Sequence, residues 1–451
     1  MDYLEITQRV IDQATAAGAD AEAYLTVGKE TNIEVNQGEV AKLSFAGSKG
    51  LGVRVIQNGR MGYAYTSDFS TDSLRRCTAY ALTLAEAADA DEFRRLPQPQ
   101  PVPEEALDNY DPEMATLPAE TKVTFAKQLE QAALAADERV IMALNTRYLD
   151  NVSDVFLATS KGFSGSYKQS FAAGIVMAMA SDGQERAMAF GVGINNSIRK
   201  LDAQQIGQEA GEQAAKLLGG KPVPTQEATI VYSPFAAHAV IGALARALTA
   251  EAMQKNRSFL QGKMGQDVAS DMVTLLDNGR LPGGLATRPF DDEGVPTGAT
   301  RLIDEGVLQA VLHDTYTAGK ERTTSTGNAT RLSHRQPPQL TPSNFYLQPG
   351  NITPDELIAG VQNGLYVVNT MNTHSINPVS GDYSVSAQGF WIEDGRLTHP
   401  VNEVTIAIPL DQLLKNIKAV ANDLLFLPFM GAIGSPTFRV DGVMIGGQTI
   451  Q

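Results

Sequence analysis

Five histidines, at positions 238, 313, 334, 374 and 399, are the first places to look for hydrolytic chemistry. Attack on a peptide bond needs a Lewis-acid metal, a positioned base, or a side-chain nucleophile with a base of its own. A helical zinc protease holds its metal with two histidines on one helix face and a carboxylate beside them. Here no histidine has a glutamate neighbour, and no two fall within one helical turn. Cys77 is the one cysteine, so the chain forms neither a thiolate zinc cluster nor an internal disulfide. Leu74, Cys77, Ala81 and Leu84 recur at helical spacing, which makes Cys77 a small core residue rather than a nucleophile.

Other patterns are incomplete. Gly162-Phe163-Ser164-Gly165-Ser166 approaches a nucleophile elbow with the wrong spacing. Ser197-Ile198-Arg199-Lys200 matches Ser-x-x-Lys, which a chain of this length meets by chance, and its companion motifs are missing. Gly220-Lys221 is followed by Pro222, where a phosphate loop requires Ser or Thr. The carboxylates of Asp291-Asp292-Glu293 have the chemistry to bind a cation or to act as acid and base. Their place before Gly294 favours the simpler reading of a solvated turn. Residues 235–254 read as one helix, apolar around almost its whole circumference, which marks it as buried. Arg246 is its one permanent cation. It either meets an acidic or carbonyl partner inside the protein or reaches the surface at a helix edge.

The surrounding elements follow from periodicity. Tyr3, Ile6, Val10, Ala14 and Ala17 mark a first helix that ends at Gly18, and residues 21–27 alternate as a strand. Residues 51–65 read as a hairpin about Asn58-Gly59, a pair that tolerates the positive φ of a type I′ turn. Helices are expected over 73–88, 119–136 and 201–218, and strands over 141–149, 155–159, 166–180 and 187–193. Pro97, Pro99, Pro101 and Pro103 form an extended connection. Gly219-Gly220-Lys221-Pro222 ends a helix and starts none. The expected architecture is therefore α+β in two domains: residues 1–220 with helices and an antiparallel sheet, and residues 221–451 rich in short strands and Gly/Pro turns.

Composition limits the partners. The chain has 451 residues and a net charge of −15, so a phosphate backbone repels it and nucleic-acid binding is not expected. The acidic start at Asp2 and Glu5 is unlike a secretory signal, and the longest apolar run, near Leu424 to Ile433, is too short to cross a bilayer. The expected setting is the cytoplasm, away from membranes.

A family becomes visible in the second half. Phe290-Asp291-Asp292-Glu293-Gly294-Val295-Pro296-Thr297 is followed by Gly306-Val307-Leu308, Thr315-Tyr316-Thr317-Ala318 and Ser325-Thr326-Gly327-Asn328-Ala329. Then come Gly381-Asp382-Tyr383-Ser384, Gly389-Phe390-Trp391-Ile392 and Gly434-Ser435-Pro436-Thr437. In this order and spacing they resemble the TldD/PmbA family, once described as modulators of DNA gyrase. The first half adds Lys49-Gly50-Leu51-Gly52-Val53-Arg54-Val55 and Tyr65-Thr66-Ser67-Asp68.

The resemblance implies a zinc metalloprotease family with two branches. TldD-like chains carry His-Glu-x-x-x-His on the first helix of the C-terminal domain and a late Cys; TldE/PmbA-like chains lack them and pair with a TldD chain. Aligned through Lys255 and Ser258, the three motif positions fall on Ile241, Gly242 and Arg246, and no Cys stands between Asn422-Asp423 and Gly434-Ser435. The chain thus resembles the TldE/PmbA branch. No cofactor of its own is expected; zinc belongs to the TldD partner. The implied function is that of a non-catalytic subunit of a heterodimeric protease for unfolded peptides or small proteins, such as precursor peptides and antitoxins. Asp291, Asp292, Glu293, Asn328, Gly381, Asp382, Tyr383 and Ser384 are the residues expected near the shared substrate cavity, although Gly327 and Gly381 also suit positive-φ turns. The segment Met371 to Pro378 departs from the family's more glycine-rich sequence. The alternative function is a stand-alone homodimer that binds peptides or regulates another protein without proteolysis.

Overall fold

The structure, a computed structural model, describes residues 2–428 and 431–447. Phe429 and Met430 of the apolar run, and residues 448–451 of the expected second domain, lie outside the described residues.

Helix α1 (Tyr3–Ala16) starts where Asp2 caps the N–H groups of Leu4 and Glu5, and it buries Ile6, Val10, Ile11 and Ala14. The first half is built on a six-stranded sheet in the order β3-β2-β1-β4-β5-β6. Its strands are β1 (Asp20–Asn36), β2 (Glu39–Gln57), β3 (Arg60–Thr66), β4 (Val140–Thr159), β5 (Ser164–Ser181) and β6 (Arg186–Asn195). The β2–β3 hairpin turns at Asn58 (φ 52°) and Gly59 (φ 73°), as the sequence predicts. Helix α2 (Thr71–Ala87) covers one end of this sheet, while α3 (Ala119–Ala135) and α4 (Ala203–Lys216) cover the other.

One strand assignment changes. The two strands expected over 141–149 and 155–159 are a single strand, β4. Asp150, which reads as a turn residue, stays in the ladder because its carboxylate is buried 2.6 Å from Lys122 Nζ and accepts the Tyr148 hydroxyl at 2.7 Å. Its neighbours pair on both sides, Asn151 with Glu30 and with Phe171.

The second half contains two more six-stranded sheets. One runs β16-β15-β14-β7-β20-β17, built from β7 (Gln226–Tyr232), β14 (Asn363–Met371), β15 (Ser384–Glu393), β16 (Arg396–Ala407), β17 (Ile417–Val420) and β20 (Phe438–Gly446). The other runs β10-β9-β8-β13-β19-β18, from β8 (Leu275–Asn278), β9 (Ala299–Asp304), β10 (Val307–Leu308), β13 (Asn344–Leu347), β18 (Leu425–Leu427) and β19 (Ala432–Ser435). A short ladder joins β11 (Ala329–Thr330) to β12 (Gln339–Leu340). The fold is thus α+β.

Helix α5 (Pro234–Ala247) packs against strands of both sheets. Its Val240, Ile241 and Leu244 share one apolar core with Ile230 of β7, Leu275 of β8 and Phe345 of β13. The expected single helix over 235–254 is broken. Thr249 leaves the helix to cap a new one, α6 (Ala250–Gln254), by accepting the Ala252 N–H. The break holds because Leu248 and Ala250 exchange backbone hydrogen bonds with Leu312, tying the chain to a neighbouring segment.

No helix of the described residues is long and apolar enough to cross a membrane.

Candidate functional site

Two places gather the residues that the sequence singled out. The first is the junction between the halves. Asp291, Asp292 and Glu293 lie in the loop from β8 to β9 and are 0%, 3% and 2% exposed, so they are not the solvated turn the sequence favoured. A buried carboxylate must be paired or hydrogen-bonded. Asp291 accepts backbone N–H groups from Glu293, Val295 and Ala329 at 2.9, 2.9 and 3.0 Å. Asp292 accepts from Arg288 at 3.2 Å and from the Arg331 backbone. Glu293 lies 2.8 Å from Arg54 on β2 and also accepts the Thr315 N–H at 3.0 Å.

The chain of charges continues into the first half. The second arm of Arg54 reaches Glu22 on β1 at 2.5 Å, and Arg331 pairs with the same Glu22. The Arg331 guanidinium lies over the Tyr24 ring, 4.7 Å from its centre. Alternating signs therefore run from Glu293 through Arg54, Glu22 and Arg331 to Asp292 and Arg288. Burial and the charge of Glu293 push Asp291 up to about 8, against the pull of Arg288. Burial acts on Glu293 in the same sense, but Arg54 and the Thr315 N–H outweigh it and hold the group below its ordinary range.

Asn328 belongs to the same buried region. Its amide donates to Asp277 at 2.7 Å, and Asp277 also accepts the N–H and hydroxyl of Ser343, each at 2.7 Å. The polar atoms of Asp291, Asp292, Glu293 and Asn328 are thus engaged within the protein; Glu293 through Arg54, and Asp292 through Arg331 and Glu22, carry the network into the first half, whereas Asp291 and Asn328 bond within the second.

The second place is a cavity of about 390 Å³ on α5. Phe235, His238, Ala239, Gly242 and Arg246 line it, and their spacing of three or four residues forms one face of the helix. This stripe is the part of α5 that the core leaves open. Its other sides carry the buried Val240, Ile241 and Leu244. Thr370 at the end of β14, and Thr373 and His374 just beyond it, also line the cavity, and Pro342, Leu427 and Ile433 add apolar surface to it. Arg246 is exposed, so it follows the helix-edge reading rather than the buried-pair reading. Burial lowers His238 to about 4, which leaves it neutral near pH 7.

The Gly381-Asp382-Tyr383-Ser384 segment adjoins this second place. Ser375 donates its hydroxyl to the Ser384 carbonyl, fixing the turn that carries His374. Asp382 and Ser384 are exposed, whereas Tyr383 is buried against Tyr232. Gly381 has φ +82° and Gly327 has φ +76°, so both meet the turn requirement that the sequence suggested. The expected site residues therefore divide between a buried junction and a segment tied through Ser375 to the turn that carries His374, outside the lining of the α5 cavity.

Zinc does not fit the three motif positions. Residues five apart on a helix diverge by about 140°. Ile241 accordingly points into the core while Gly242 and Arg246 open on the cavity, and none offers a donor atom suited to zinc. The cavity lining has two imidazoles but neither a carboxylate nor a thiolate. Among the described residues, no group of three or more His, Cys, Asp or Glu comes together to hold a metal ion.

Sequence reasoning missed Glu22, Arg54, Arg288 and Arg331. The available signal was a charged residue inside an apolar strand: Glu22 between Ala21 and Ala23, and Arg54 between Val53 and Val55. Such a charge on a buried face requires a partner. Nothing in the chain order identifies that partner.

Comparison with known proteins places this geometry in a family. Profiles described as PmbA/TldA metallopeptidase domain 1, central domain and C-terminal domain match residues 21–85, 112–218 and 225–447. A Haemophilus influenzae protein named metalloprotease PmbA homolog is 28% identical over 92% of this chain and 90% of its own length. Metalloprotease PmbA of Escherichia coli O157:H7 is 26% identical over 94% of each chain. Among solved structures, a Thermotoga maritima protein described as a candidate modulator of DNA gyrase superposes with a TM-score of 0.90 at 26% identity, covering 99% of this chain and 100% of that one. TldE of Thermococcus kodakarensis shares the fold, with a TM-score of 0.92 at 22% identity, covering 98% of this chain and 100% of that one. Three consecutive domain matches and a common fold over the whole chain lead to one assignment: this chain belongs to the PmbA/TldD metallopeptidase family.

Proposed function

We propose that this chain is the subunit of a two-chain PmbA/TldD-type metalloprotease that does not carry the zinc. The observation that supports this reading is helix α5, where the motif positions are Ile241, Gly242 and Arg246 and offer no zinc ligand. A TldD-type chain would supply the metal and the activated water. This chain would hold an extended peptide for it, with Asp382 and Ser384 facing the substrate beside the α5 cavity. Asp292 and Glu293 would support that surface by locking the two halves together, and Asp291 and Asn328 by bracing the segments around them. A cytoplasmic setting suits unfolded peptides and small proteins as substrates.

The test is to purify the chain alone and together with a TldD-type chain from the same organism. Zinc content and cleavage of an unfolded protein are then measured for each preparation. The reading expects stoichiometric zinc and chelator-sensitive cleavage only in the co-purified complex. Cleavage or bound zinc with this chain alone would refute it.

A further inference from the structure

We infer that the α5 cavity is a carboxylate-binding pocket that takes the C-terminal end of a peptide, with Arg246 as the cation and the apolar surface receiving the terminal side chain. The inference rests on the reading of this chain as the peptide-holding subunit and names what its own cavity would hold.

The argument is one of charge and shape. The chain carries a net charge of −15, yet the lining of this cavity includes no carboxylate and one permanent cation. An exposed guanidinium is a fork of N–H donors that matches the two oxygens of a carboxylate. Thr370 and Thr373 add hydroxyl donors to the same lining. Phe235, Leu427 and Ile433 add an apolar surface to the same lining. A volume of about 390 Å³ falls in the range of small-ligand pockets. A free phosphate would use the cation but gain nothing from the apolar surface. An internal apolar stretch of peptide would cover the apolar surface but leave Arg246 without an anion. A peptide terminus with an apolar last residue satisfies both.

Gly242 keeps the pocket open. A Cβ at this position meets no atom within 4 Å, so the space beside it is cavity rather than packed core. Filling it is therefore a way to block the pocket without disturbing the fold.

The test uses the full chain alone, titrated calorimetrically with alanyl-alanyl-leucine and with its C-terminal amide. The free acid should bind at least about tenfold more tightly than the amide, the order of one charge-assisted hydrogen bond. Arg246→Ala should erase that difference, and Gly242→Leu should abolish binding of both forms without lowering the thermal unfolding temperature. Equal binding of acid and amide, retention of the preference in Arg246→Ala, or no binding at millimolar peptide would each overturn the proposal. So would inorganic phosphate that competes as well as the peptide, since it would mark a general anion site. Zinc and cleavage do not enter this measurement, so its failure leaves the subunit reading to be judged on its own experiment.

Discussion

Arg54 and Glu293 are 239 residues apart in the chain and 2.8 Å apart in space. One stands on the second strand of the N-terminal sheet, the other in a loop of the C-terminal half, and both are buried. The same guanidinium also holds Glu22, so a single side chain neutralises two carboxylates that belong to different halves of the molecule.

Removing that guanidinium should be costly. Breaking a buried ion pair strands the remaining charge, at about 3–5 kcal/mol. Arg54→Ala is expected to lower stability by that order in denaturant unfolding. Arg301→Ala, which removes an exposed pair with Asp304 2.6 Å away, should leave the unfolding midpoint unchanged. Equal effects from the two variants would deny the junction its special weight.

Asn328 offers a way to separate support from substrate contact. Its amide satisfies the buried Asp277, whose pKa burial raises. Asn328→Ala should cost about 1–3 kcal/mol of stability, the penalty for an acceptor that loses its donor. Peptide binding at the α5 cavity should remain. Unchanged stability with lost binding would instead move Asn328 to the substrate.

His238 gives the chain an acid-sensitive element. Burial lowers its pKa from 6.5 to about 4, so the unfolded state binds the proton more readily. The stability tied to neutral His238 is full above pH 6.5 and is lost as the pH falls through about 4. A shift of this size is worth about 3 kcal/mol. Comparing urea midpoints at pH 7 and pH 4.5, the wild-type chain should fall further than His238→Gln. Parallel losses in both proteins would place the acid sensitivity elsewhere.

The helix glycines should respond in opposite directions. Gly242→Ala adds a methyl group to open space in a helix interior, which should stabilise by about 0.5–1 kcal/mol. On α4, a Cβ at Gly207 would come within 2.4 Å of the Leu129 carbonyl oxygen of α3. Gly207→Ala should therefore destabilise by about 1–3 kcal/mol through overpacking. Thermal unfolding of the two variants would show melting points moving apart.

The chain order alone determined the local elements whose signal is periodic or conformational. Alternation and helical spacing mark α3, α4 and β5 to within a few residues, and Asn58-Gly59 marks its hairpin, because these signals depend on neighbours a few residues away. The motif order also gave the family. Long-range contacts decided the rest. Asp150 stays in β4 because Lys122 is there to meet it, and the helix after Pro234 stops at Leu248 because Leu312 takes its backbone bonds. The acidic triplet at 291–293 is soluble in any local reading. It is buried because Arg54 and Arg331 converge on it from two distant segments and Arg288 joins from its own loop, and the cost of burying a charge is met only when its partners arrive together.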